Sequence, residues 1–191
     1  MCIRDRPSPK RDHLVDTAAA LFQRDGFHAT GIDTILAEAG VAKMTLYNHF
    51  KSKDELIVAA LEVEGARYIA WLRGRADSLA EEPGERLLAI FDALEEWFER
   101  EGFNGCVFMK AACEYGPVTN PVHAAAAAQK RAVFDYMLEN ATSARLKEPR
   151  NLAQQLLLLH EGAIAVAHEF GAPIAARQAK RAAAVVIEDA G

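Results

Sequence analysis

The stretch FHATGIDTILAEAGVAKMTLYNHFKSKDEL, Phe27 to Leu56, decides the fold. Ile35, Leu36 and Ala39 recur at helical steps and stop at Gly40. Leu46 and Phe50, four apart, resume the pattern on a third short helix, about Lys43 to Phe50. Gly40 lacks a Cβ and so permits the sharp turn that a helix-turn-helix requires, with Val41 packed in the corner. Thr30-Gly31-Ile32-Asp33 has the spacing of a capping box, in which a hydroxyl accepts from the helix start and a carboxylate three residues on reaches back. Ser52-Lys53-Asp54-Glu55 repeats that spacing and opens a long helix through Leu56, Ile57, Ala60, Leu61 and Val63 toward Asp77-Ser78.

Upstream, Leu14, Ala18, Leu21 and Phe22 form one stripe of a first helix of about sixteen residues. It ends near Asp25-Gly26, where Gly26 takes a left-handed cap and Phe27 turns back to the core. Downstream, the spacing predicts helices at about 85–101, 105–114, 121–143, 149–170 and 173–188. Gly102, the Gly116-Pro117 to Pro121 stretch, Pro149 and Gly171-Ala172-Pro173 supply the breaks. No β alternation interrupts this series, so the expectation is an all-α chain of about nine helices, with a three-helix domain over 7–53 and a larger helical domain over 54–191.

A chain of 191 residues, 51% hydrophobic and 26% charged, has the composition of an ordinary globular protein. Its net charge of −5 conceals an uneven distribution: residues 1–53 carry eight Lys and Arg against six Asp and Glu, and the remainder fourteen against twenty-one. A basic head on an acidic body fits a small nucleic-acid-binding segment. The most apolar uncharged stretch of the C-terminal half, Asn151 to His160, is too short to cross a bilayer, and no secretory leader is evident, so a cytoplasmic protein is expected. Met1 to Arg6 fit no helical pattern and are set aside from the fold. Cys2, Cys106 and Cys113 form an odd set without CxxC spacing, which argues against a disulfide framework or a zinc site and for buried structural thiols, with Cys106 and Cys113 on one helix face.

The run from Phe27 to Ile35, Ala39-Gly40-Val41, and Thr45-Leu46-Tyr47-Asn48-His49-Phe50 through Lys53 to Leu56 resembles the DNA-binding domain of the TetR family, over about 47 residues from Arg11 to Ile57. The resemblance implies that the helix of Thr45 to His49 is a recognition helix lying in the DNA major groove. Tyr47 can donate to a phosphate or lay its ring against a thymine methyl, and Thr45 and His49 can hydrogen-bond phosphate oxygens. Lys53 and Thr30 sit at helix starts, where free N–H groups favour a phosphate. Lys43, Met44 and Asn48 are the candidates for reading bases. Asp33 would repel phosphate, which suits capping better than readout, and Lys10 and Arg11 are placed to reach the backbone or an adjacent minor groove.

The same resemblance implies that domain 54–191 binds a small-molecule effector and pairs two chains through their last two long helices. Leu152, Leu156, Leu159, Ala163, Ile164 and Ala167 on one helix, with Ala176, Ala179 and Ala183 on the next, are candidates for that dimer interface. An intramolecular core is the alternative, because an apolar stripe does not reveal which chain it packs against. Trp97, Phe98, Phe108, Met109, Phe134 and Met137, with Glu114 and Tyr115 as polar groups, are candidates for lining an effector pocket; aromatic residues at helical spacing equally describe ordinary core. The expected function is a ligand-responsive transcriptional repressor that binds palindromic operator DNA as a homodimer. Its rival is a helical ligand-binding or scaffold protein without DNA activity. No Walker loop, GxSxG, HExxH or dinucleotide fingerprint is found, so no enzyme, cofactor or metal is expected. His160-Glu161 and His168-Glu169 invite a metal site, but eight residues of helix hold the imidazoles about 12 Å apart along the axis.

Overall fold

A computed structural model describes residues 8–171 and 174–191. Cys2, the Met1 to Arg6 segment and the Ala172-Pro173 break lie outside the described residues. Among those described there are nine helices and no strand: α1 Pro9–Asp25, α2 Ile32–Ala39, α3 Lys43–His49, α4 Lys53–Leu79, α5 Pro83–Phe98, α6 Val107–Glu114, α7 Pro121–Ser143, α8 Pro149–Phe170 and α9 Ile174–Asp189. Four helices, α1, α5, α7 and α8, open with proline in the first turn, where its missing N–H costs nothing and its fixed φ suits the helix. That explains why α5 begins two residues earlier than periodicity suggests, at Pro83, and it closes at Phe98 rather than near 101.

The chain forms two compact units. The first comprises the residues up to Ala66 together with Val107–Gln129; the second comprises Arg67–Cys106 and Lys130–Gly191. Helices α4 and α7 therefore each contribute to both.

In the first unit, α1, α2 and α3 pack mutually. Leu14, Phe22, Phe27, Ile35 and Leu46 are fully buried, and Leu56 and Ile57 add the first turn of α4. Each such side chain contributes about 1.5–3 kcal/mol relative to exposure. His13 Nε2 lies 3.1 Å from Ala39 O, tying α1 to the end of α2. Gly40, expected to permit the sharp turn, does so in the left-handed conformation, φ +63° and ψ 32°, and its amide reaches Ala37 O. Gly26 also has positive φ, +87°, but with ψ 169° its backbone is extended, outside the left-handed helical well.

In the second unit, α9 packs on α8 and α5. Leu87, Ile90, Leu94, Leu152, Leu156, Ile164, Ala176 and Ala183 are buried there. Two carboxylates of α5 anchor α9 from the side: Asp92 accepts from Lys180 Nζ at 2.6 and 2.7 Å, and Glu95 from Arg177 Nε at 2.6 Å. No described helix is long and apolar enough to cross a membrane.

Two capping expectations divide. At α4 the box forms: Glu55 N donates to Ser52 Oγ at 3.2 Å, and the Glu55 carboxylate accepts from Lys51 N at 2.8 Å, one residue earlier than the usual return. At α2 it does not. The N-cap is Gly31, without a side-chain cap, because the Thr30 hydroxyl turns back to donate to Gly26 O at 2.7 Å. The cysteine reading is also corrected. Cys106 is buried but precedes α6, whereas Cys113 on that helix is exposed, so the two do not share a buried helix face.

Candidate nucleic-acid interface and sensor residues

Helix α3 is seven residues long and has one inward residue, Leu46, followed by buried Phe50 just past its end. Two anchors four apart fix the roll of so short a helix and leave the rest outward. Lys43, Met44, Tyr47, Asn48 and His49 are exposed and Thr45 is half-buried. Met44 is 71% and Tyr47 47% exposed, high for large apolar side chains on a helix otherwise packed into a core. Lys43 Nζ lies 3.7 Å from Asp33, so α2 supplies a carboxylate that tempers the positive charge at the start of α3. Arg11, on α1, sits over the Phe50 ring at 5.3 Å.

Two residues expected at phosphates have other engagements. Thr30 is 2% exposed, its hydroxyl spent on the α1–α2 turn, which leaves only backbone for an outside partner. Lys53 Nζ donates to Phe27 O at 2.6 Å. Burial pulls its ammonium below the usual lysine value, against the pull of Asp54 and Glu114.

Around that turn the first unit holds a cluster that no local sequence pattern announces. Glu114, the last residue of α6, accepts from two consecutive backbone amides: Phe27 N at 3.0 Å to Oε1 and His28 N at 2.7 Å to Oε2. The His28 ring returns to Glu114 O at 3.1 Å and stacks on Tyr115 with centroids 4.9 Å apart. Lys110, one turn earlier on α6, donates to Gln23 O at 3.0 Å. The Tyr115 hydroxyl is pushed up to about 12, by burial first and then by the carboxylates of Asp54 and Glu114. Glu114 and Tyr115, expected in an effector pocket, are thus bound to the α1–α2 turn.

The remaining six pocket candidates divide between the units. Phe108 is buried and Met109 half-buried in the first. In the second, Met137 is buried, Phe134 lies under Arg150 at 5.4 Å, and Trp97 and Phe98 join Tyr68, Trp71 and Phe103 in a run of ring contacts with centroids between 5.0 and 6.4 Å.

Tyr68 also begins a polar relay in that unit. Its hydroxyl is 3.1 Å from His160 Nε2, His160 Nδ1 is 2.9 Å from Glu161 Oε1, and Lys130 Nζ bridges Glu161 Oε2 at 2.6 Å and Cys106 Sγ at 3.1 Å. An ionised Glu161 only accepts, so Nδ1 carries the proton and Nε2 accepts from Tyr68. Burial lowers the His160 pKa, opposed by Glu161. Burial alone would raise Glu161, but the hydrogen bond from His160 and the charge of Lys130 outweigh it and hold the carboxyl below its ordinary value. Tyr68, Lys130, His160 and Glu161 were missed as a set because they come from three different helices. Among the described residues, no group of three His, Cys, Asp or Glu side chains is arranged to hold a metal ion.

The interface candidates on α8 and α9 require correction. Leu152, Leu156, Ala163, Ile164, Ala167, Ala176, Ala179 and Ala183 are all buried within their own chain, and Leu159 is half-buried. The eight buried residues are core, the alternative that the stripe left open, whereas Leu159 keeps part of its surface outside. Other apolar residues of the two helices are exposed: Leu158, Val166 and, at its last turn, Phe170 on α8, and Ile174 and Val185 on α9; Leu158 and Phe170 exceed 70% exposure. Their spacing of eight and four along α8 was legible, but the longer leucine stripe drew the reading.

The family model for bacterial regulatory proteins of the tetR family matches residues 14–60. The chain is 24% identical over 155 residues to the HTH-type transcriptional regulator YjdC of Escherichia coli K12, covering 81% of each. It is 27% identical over 161 residues to the HTH-type transcriptional repressor NemR of the same organism, covering 80% of this chain and 81% of that one. The crystal structure of a TetR-family transcriptional regulator from Streptomyces coelicolor aligns with a TM-score of 0.86 at 29% identity, over 97% of this chain and 91% of the other.

Proposed function

This chain is a transcriptional regulator of the TetR family, and from that premise we propose that it is a repressor which binds palindromic operator DNA as a homodimer and is released by a small-molecule effector. The observation that carries the reading is α3: its inner side is fixed by Leu46 and Phe50 while Tyr47, Asn48, Met44 and Lys43 stand outward. In this reading Lys43, Met44 and Asn48 meet base edges. Thr45, Tyr47 and His49 hold phosphates, joined by the backbone at Thr30 and by Lys53 if it leaves Phe27.

Reading a palindrome needs two recognition helices about 34 Å apart, hence two chains. The exposed apolar residues Leu158, Val166, Phe170, Ile174 and Val185 support pairing through α8 and α9, the two helices that carry them. The ring cluster of Tyr68, Trp71, Trp97, Phe98 and Phe103, beside the Tyr68–His160 relay, is the proposed sensor surface: apolar walls with a few fixed polar groups. An effector acts by favouring a conformation with lower DNA affinity, and so must itself bind that conformation more tightly.

Selection of genomic fragments on the purified protein at moderate salt tests the reading. A short palindrome should emerge, and Tyr47→Ala should bind it at least tenfold more weakly while remaining folded and dimeric. Undiminished binding by that variant removes Tyr47 from the interface. Recovery of no DNA by a folded dimer favours a ligand-binding scaffold.

A further inference from the structure

The hold of Glu114 on the α1–α2 turn is more specific than packing requires. That turn runs from Gly26 to Thr30 and leads directly into the helix-turn-helix. Its own closure, Thr30 Oγ1 to Gly26 O, leaves the Phe27 and His28 amides pointing away from the turn. Two successive amides aimed at one point make a small anion-binding concavity. The two oxygens of Glu114 fill it. Gly26 makes room: a Cβ there would stand 3.2 Å from Glu114 Oε1, and its φ of +87° disfavours any side chain. Lys53 Nζ takes the Phe27 carbonyl from the other side, so donor and acceptor of one residue are held by α6 and α4 at once. The apolar core beneath is made by other side chains, with Phe22, Phe27 and Leu46 fully buried.

We infer that Glu114 is a positioning residue for DNA binding: by gripping the α1–α2 turn from the end of α6 it sets the pose in which α3 is presented. The inference rests on the operator-binding reading and names the side chain that holds the α1–α2 turn for it.

The test uses the full chain and the palindrome recovered with wild type, with affinities expressed per active dimer. Glu114→Ala should lose at least tenfold in affinity. The slope of log affinity against log salt should stay the same, because the phosphate contacts are unchanged in number. Glu114→Gln should fall between, since its amide keeps one accepting oxygen and turns a donor toward the second N–H. Hydrogen exchange at Phe27 and His28 should quicken in both variants while Leu14 to Phe22 remain protected. If Glu114→Ala is less stable yet binds DNA as tightly per active dimer as wild type, the residue is structural only and the inference is overturned. If Glu114→Ala fails to fold, Glu114→Gln decides by the same measurements. Failure of wild type itself to bind any palindrome overturns the regulator reading and this inference with it, whereas binding by wild type and both variants alike overturns the inference alone.

Discussion

At the scale of single residues, the second unit commits a histidine to neutrality. His160 is fully buried between Tyr68 and Glu161, and burial lowers its pKa beneath the ordinary 6.5. In the unfolded chain it takes up a proton near 6.5; in the folded chain it resists until lower pH. The unfolded state therefore binds more protons in that interval. The stability contributed by the neutral ring is present above about pH 6.5 and is lost as pH falls toward the folded value. Thermal unfolding followed from pH 7.5 down to 5.5 should show a falling midpoint. His160→Gln should flatten that fall by up to about 1.4 kcal/mol per pH unit, the slope of one proton. An unchanged slope in the variant would remove His160 as its source. None of this relay was legible in the sequence, where Tyr68 and His160 are 92 positions apart and His160-Glu161 suggested only a metal site. Tyr47 and Asn48 lay within reach because both stand in one short run whose inward partners, Leu46 and Phe50, are also local.

At the scale of elements, the turn between α2 and α3 hangs on Gly40. An added Cβ there meets nothing within 4 Å, so a substitution pays in backbone conformation alone. Gly40→Ala should destabilise by about 1–2 kcal/mol, the cost of a left-handed residue with a side chain, and Gly40→Asn by less. Denaturant midpoints at constant m would show this, and an alanine variant as stable as wild type would contradict it. The helices were legible because three- and four-residue periodicity is a local signal: α7 and α8 begin and end where their proline, glycine and apolar spacing place them. The α2 cap was misread for a reason equally local. Threonine can cap a following helix or close a preceding turn, and the spacing to Asp33 is the same in both cases; the nearby Gly26 carbonyl decides it.

At the scale of the whole molecule, α8 has more large apolar side chains than its own chain covers, and only packing decides which stay outside. The leucine stripe of Leu152 and Leu156 went inward, and Leu158 and Phe170 remain outside. Leu158→Glu combined with Phe170→Glu should therefore convert a dimer to a monomer in sedimentation at micromolar concentration, with little loss of helical signal and a large loss of operator affinity. A double variant that remains dimeric would place the pairing surface elsewhere. Periodicity states that a face is apolar; which apolar residues meet their own chain depends on where α5 and α9 lie, and that is a property of the assembled fold.

The first unit is discontinuous along the chain, since Val107–Gln129 completes what the residues up to Ala66 begin. During synthesis, then, the DNA-binding helices emerge before the segment that secures them. At roughly 5–20 residues per second, several seconds pass before α6 leaves the ribosome and Glu114 can close on the α1–α2 turn. A nascent chain stalled near Ala66 would carry the whole motif without its grip, and a fragment cut there would inherit the same deficit.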